Sequence, residues 1–129
     1  MAFWEIVRAN LVTLLLPLII LVFGLFTRIG LPRKVNWFIG YRTPLACKNQ
    51  DTWAFAHRYW GKLMIIFGLL LTTLSIVGIV LIDRDVLTIE PALFLGVVAI
   101  ATLLAVLIPI IPTELALRKV FDRDGKRKG

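Results

Sequence analysis

Apolar residues in this chain gather into three long blocks, with no period of two and no single amphipathic stripe. No Asp, Glu, Lys, Arg or His falls within Ala9–Thr27, Leu63–Ile82 or Pro91–Thr113. A helix rising ~1.5 Å per residue needs about 20 residues to cross ~30 Å of hydrocarbon, and each block has about that length. A lipid-exposed β-barrel would alternate apolar and polar positions, whereas helices satisfy their backbone hydrogen bonds internally. The pattern predicts an all-α integral membrane protein with three transmembrane helices at about 9–27, 63–82 and 91–113. Between the first two lies a loop, 28–62, expected to hold an interfacial stretch and an amphipathic segment. A tail, 114–129, completes a single membrane domain over 1–129.

Composition sharpens this picture. The 129 residues are 59% hydrophobic with a mean hydropathy of +0.87, above the roughly 45–50% apolar share of soluble domains. The first block is expected to be a mature helix. It starts with Met1-Ala2-Phe3-Trp4-Glu5, without a basic region, and ends in Phe26-Thr27-Arg28-Ile29, without a small-residue cleavage site. Phe3 and Trp4 suit the headgroup zone.

The net charge of +7 would suit nucleic acid, but its placement points to topology instead. Seven basic residues lie from Arg28 to Lys62 and six from Arg118 to Lys128; of the 15, only Arg8 and Arg84 lie elsewhere. Three spans put both basic regions on one side, and the Lys/Arg bias makes that side cytoplasmic, with the N-terminus outside. No direct contact with nucleic acid is expected. The basic tail is suited to anionic headgroups of the bilayer. One cysteine, Cys47, precludes an internal disulfide and is expected to remain a reduced thiol.

The loop and flanks carry local signals. Pro17 suggests a bend in span one. Leu31-Pro32-Arg33-Lys34-Val35-Asn36 has loop chemistry, and Trp37-Phe38-Ile39-Gly40-Tyr41-Arg42-Thr43-Pro44 mixes apolar and cationic residues as an interfacial loop would. Asn49 or Asp51 can cap a helix that places Trp53, His57 and Trp60 on one face and runs through Gly61 and Lys62 into span two. Small residues mark span two (Gly68, Thr72, Ser75, Gly78) and span three (Ala92 with Gly96, Ala101 with Ala105), where backbones can approach closely. The short connection Asp83–Glu90 predicts that span two packs on span three. Homo-oligomerisation through these faces stays open. After Pro109 and Pro112, Thr113 is expected to cap a short helix, Glu114–Phe121, in which Glu114 can pair with Arg118. Leu115, Leu117 and Phe121 are expected to dip into the interface, and Asp122–Gly129 to be solvated and flexible.

Reactive chemistry is sparse. One His and one Cys assemble no metal site, and no Walker loop, nucleophile elbow or H-E-x-x-H motif occurs. No cofactor, metal or catalytic residue is expected. His57 titrates nearest neutrality and can act as a proton sensor or simply pack. Arg42, with its five donors, suits an anion or carbonyl partner.

Ile39-Gly40-Tyr41-Arg42-Thr43-Pro44, followed by Asn49, Trp53, His57-Arg58 and Gly61-Lys62, resembles the signature of the SdpI family. That family is named for bacterial immunity to a cannibalism toxin. The close resemblance covers about Trp37 to Leu63, and the flanking spans agree in layout. It implies an all-helical cell-membrane protein that protects its host from a membrane-acting peptide toxin, or signals by binding a toxin, a lipid or a transcriptional repressor. It also implies a binding role for Gly40, Arg42, Thr43, Pro44, Asn49, Trp53, His57, Arg58, Gly61 and Lys62. A small oligomeric transporter or flippase is the alternative.

Overall fold

The computed structural model describes Trp4, Arg8, residues 10–36 and residues 39–128. Phe3, Trp37 and Phe38, expected above to anchor at the interface, lie outside the described residues; Trp4 is exposed. Among the described residues four bounded helices follow in order: α1 (Leu11–Arg28), α2 (Gln50–Asp83), α3 (Pro91–Leu107) and α4 (Ile110–Val120). Among the described residues three stretches, Leu11–Arg28, Gln50–Asp83 and Pro91–Val120, are long and apolar enough to cross a membrane. The chain is therefore read as a multi-pass membrane protein. Its lipid-facing positions, such as Leu15, Ile19, Val22, Leu70, Leu74, Ile100 and Leu103, stand exposed, as a protein dissolved in hydrocarbon permits.

At 34 residues, α2 is about 51 Å long, well beyond the ~30 Å of hydrocarbon. Its apolar part is Leu63–Ile82. The preceding segment, Gln50–Lys62, projects about 20 Å past the end of that span. α2 starts where the sequence predicts. Asn49 accepts from Thr52 N at 2.9 Å, while Asn49 N donates to Thr52 Oγ1 at 3.1 Å, a reciprocal capping box.

The expected packing of span two on span three is present, but the main partner of α2 is α1. The reason is glycine placement. A Cβ on Gly24 would stand 2.8 Å from Ile65 N, one on Gly68 2.8 Å from Leu21 Cα, and one on Gly61 2.7 Å from Arg28 N. Backbone lies against backbone along this seam. Span three does touch α2, with Phe94 filling the space beside Gly78, but open space surrounds the Cβ position of Gly96. Within α1, Pro17 is buried and the helix continues past it.

Span three breaks at Ile108–Pro109 and resumes as α4. Pro112 has no N–H for Ile108 O, which accepts instead from Ile111 N at 3.1 Å. The break makes Pro109 the N-cap of α4 and puts Thr113 inside the helix, where its buried hydroxyl donates to Pro109 O at 2.7 Å. The expected Thr113 cap is thus corrected. So is the tail. Residues 121–128 turn back on the helices through a bridge between Phe121 and Arg127, with Lys128 N donating to Val120 O at 2.9 Å. Phe121 and Leu117 are buried in protein, not dipped into lipid, because they join a core with Tyr41, Ala46, Ala56 and Trp60. Leu115 alone of the three is exposed.

Candidate functional site

The residues of the resemblance come together at one end of the molecule, where the loop, Gln50–Lys62, α4 and the tail form a folded cap. Trp53, His57 and Trp60 share one face of α2, as their spacing requires, and all three are buried. The loop is tied to that face. Trp53 Nε1 donates to Pro32 O at 2.7 Å, and Gln50 Nε2 donates to Arg33 O. Gly40 then passes directly over the Trp53–His57 pair with φ +117°, and a Cβ there would lie 2.5 Å from His57 Nε2. Only glycine meets both demands at this point.

His57 acts as a clasp between loop and helix. Tyr41 N donates to its Nε2 at 3.0 Å, so that nitrogen carries no proton; Nδ1–H then donates to Trp53 O at 2.8 Å. The ring is neutral in this arrangement. Burial holds its pKa below the ordinary value, and the Trp53 carbonyl opposes that shift less strongly. The proton-sensor and packing readings of His57 meet here: its protonation would cost the Tyr41 bond.

Tyr41 is the residue that sequence reasoning passed over. It is buried, packs against Trp60 at a centroid distance of 5.4 Å, and donates its hydroxyl to Glu114 Oε1 at 2.7 Å. Burial raises its pKa, helped by the hydrogen bond to Glu114 and that carboxylate's charge. Glu114 thus serves the loop rather than Arg118, correcting the expected helix pair. The clue lay in Tyr41 sitting inside the motif, but nothing in the sequence identified a partner 73 positions away.

The remaining motif residues divide by role. Thr43 starts the turn Pro44–Cys47: its carbonyl accepts from Cys47 N at 3.1 Å and its hydroxyl from Ala46 N at 3.4 Å. Asn49 caps α2 and also donates Nδ2–H to Gly125 O at 2.7 Å, joining helix start to tail. Gly61 admits the end of α1. Arg42, Arg58 and Lys62 face outward and are exposed. The tail adds an Asp51–Arg127 ion pair, 2.8 Å and 2.9 Å for its two bonds, and places the Arg127 guanidinium 5.1 Å from the Phe121 ring centre.

These contacts put the two basic regions at the same end, as an odd number of spans requires. Two cationic hollows open there. One, of about 660 Å³, lies between the loop and tail and is edged by Lys48, Arg118, Arg123 and Lys128. The other, of about 330 Å³, lies beside the α1–α2 seam. Among the described residues no three His, Cys, Asp or Glu side chains converge as ligands for a metal.

A family model matches residues 33–113, from the loop through the cap segment of α2 and both following apolar helices to Thr113. Neither the curated proteins nor the solved structures yield a match. The matched region is well over half of the chain and contains the Gly40–Lys62 motif whole. By this match the chain belongs to the SdpI/YfhL protein family.

Proposed function

We propose that this is a non-enzymatic, SdpI-like protein of the bacterial cell membrane that gives immunity to a membrane-acting peptide toxin, or signals its presence. The cap is the part that binds, taking the toxin, a lipid or a repressor partner. The Lys/Arg distribution supports a cytoplasmic cap and an outside N-terminus. One observation carries this reading: the motif separates into a buried scaffold and an exposed cationic set. Buried Trp53 and His57, with half-buried Gly40 over them, fix the loop on α2, and buried Gly61 seats the end of α1 there, while Arg42, Arg58 and Lys62 stand exposed. A rigid scaffold presenting long cations is suited to recognition. The transporter reading draws no comparable support. α1 and α2 are packed backbone to backbone, and the blocks Ala9–Thr27, Leu63–Ile82 and Pro91–Thr113 contain no charged side chain to carry a substrate or proton.

The test is survival. A deletion strain challenged with several membrane-active peptide toxins is expected to die at lower doses than its parent, and restoring the gene should recover resistance. The variant Arg42→Ala should restore it poorly although the protein accumulates normally. Equal survival of deletion and parent against every toxin, with no change in transcription on toxin exposure, would reject both immunity and signalling.

A further inference from the structure

The smaller cationic hollow has features of a specific anion site. It is lined by Arg28 at the end of α1 and by one face of α2 carrying Asp51, Phe55, Arg58, Tyr59 and Lys62, with Arg127 from the tail. The α2 residues follow helical spacing, and Arg58 and Lys62 stand one turn apart on the same face. Arg28 is brought beside them by the glycine seam, since its backbone nitrogen lies 2.7 Å from where a Gly61 Cβ would stand.

Charge in this hollow is unbalanced. Its one carboxylate, Asp51, is engaged by both bonds from Arg127. No ion pair forms at Arg28, Arg58 or Lys62 among the described residues. Four cations against one carboxylate leave a net charge of +3. The carbonyl end of α1 supplies roughly half a negative charge, too little to cancel it. Depth completes the case. Arg28 is the last residue of α1, and Lys62 directly precedes the apolar run Leu63–Ile82, so both cations stand at the border of hydrocarbon and headgroups. Phe55 and Tyr59, stacked at 6.1 Å, form an aromatic wall over the next two turns outward, with Tyr59 about 5 Å beyond Lys62 in the zone where amphipathic rings are favoured.

We infer that Arg28, Arg58 and Lys62 form a binding site for the phosphodiester of an anionic phospholipid headgroup. The shared chemistry is a phosphate held by guanidinium and ammonium donors, and the membrane-border position selects the lipid over a soluble phosphate. The inference rests on the chain spanning a bilayer and, because Arg58 and Lys62 also belong to the cationic set proposed for recognition, names a lipid ligand for part of that set; its lipid-binding readout is separate from survival under toxin.

Purified full-length protein in nanodiscs of phosphatidylcholine, titrated with phosphatidylglycerol, tests it by lipid-resolved native mass spectrometry. Saturable binding of phosphatidylglycerol is expected. At ~1 kcal/mol for each well-placed cation, Arg58→Gln or Lys62→Gln should weaken it about 5-fold and the double variant about 30-fold. Arg58→Lys with Lys62→Arg should retain it to within about 3-fold, and Arg118→Gln with Arg123→Gln, in the other hollow, should leave it unchanged. Circular dichroism melting shows which variants remain folded. Should the Gln variant unfold, the charge-conserving pair and the other-hollow pair still decide. Equal loss in the other-hollow pair, or no preference for phosphatidylglycerol in the parent, overturns the site. Displacement of the lipid by millimolar inorganic phosphate assigns the hollow to soluble phosphate and overturns the headgroup.

Discussion

The two ends of this molecule are built from the same helices but by different means. At the cap end, loop, helix and tail are joined by directed side-chain bonds: Trp53 to Pro32, Tyr41 to His57 and Glu114, and Asn49 to Gly125. At the opposite end, among the described residues, the connection Asp83–Glu90 turns on backbone bonds, with Asp85 N donating to Ile82 O and Val86 N to Leu81 O. Asp85 there has φ 59°, and Val86 and Leu87 are exposed. Apolar packing in lipid has little directionality, so a unique arrangement has to come from close backbone contact or from polar bonds. This chain places the polar bonds at one end and runs the close backbone seam from there into the membrane at Gly24 and Gly68. Substitutions should accordingly be costly in the cap and along that seam, and mild in the far connection.

The largest effect should come from Gly40→Val, which combines strain at φ +117° with collision against His57 and Trp53. A loss of about 3–5 kcal/mol is expected, read by thermal or detergent unfolding. Trp53→Ala should cost a similar ~3–5 kcal/mol, because a fully buried indole leaves a cavity and Pro32 O loses its donor. Tyr41→Phe keeps the ring and removes one hydroxyl, so about 1–3 kcal/mol should be lost as Glu114 forfeits its partner. At the far end, Asp85→Gly relieves a left-handed backbone and should change stability by less than ~1 kcal/mol. A far-end loss as large as that of Gly40→Val would break the contrast.

Acid should distinguish the ends as well. Because burial keeps the folded His57 below its ordinary pKa of 6.5, the unfolded chain takes up the proton first as pH falls. The stabilisation by neutral His57 is therefore complete above about pH 7 and is lost progressively below about 6.5. His57→Asn should lower stability at neutral pH and flatten this acid dependence, measured as melting temperature against pH from 5 to 8.

The spans were legible because uncharged blocks of about 20 residues have few other uses. The Asn49 cap and the Trp53–His57–Trp60 face were legible because both follow from spacing within one helix. Other features depend on contacts between distant parts of the chain. Small-residue pairs occur on spans two and three alike, so their spacing could not reveal that Gly61 and Gly68 pack on α1. Thr113 resembles a cap after Pro112, yet Pro109 already begins the helix. The tail Asp122-Arg123-Asp124-Gly125-Lys126-Arg127-Lys128 reads as solvated by composition. It folds because Phe121 is buried, Gly125 takes φ +80°, and Asn49 and Asp51 wait for it on α2. Of the candidate site, the buried half was identifiable from the motif, but the Glu114 that completes it was not.

Loop, α2 and tail form one folded cap on the membrane spans. Hydrogen exchange by mass spectrometry on the protein in lipid nanodiscs tests this most directly. Peptides covering residues 122–128 should be protected alongside those covering 41–57, and Gly40→Val should release both together. Exchange of 122–128 at the rate of an unstructured chain, or release of the loop with the tail still protected, would contradict it.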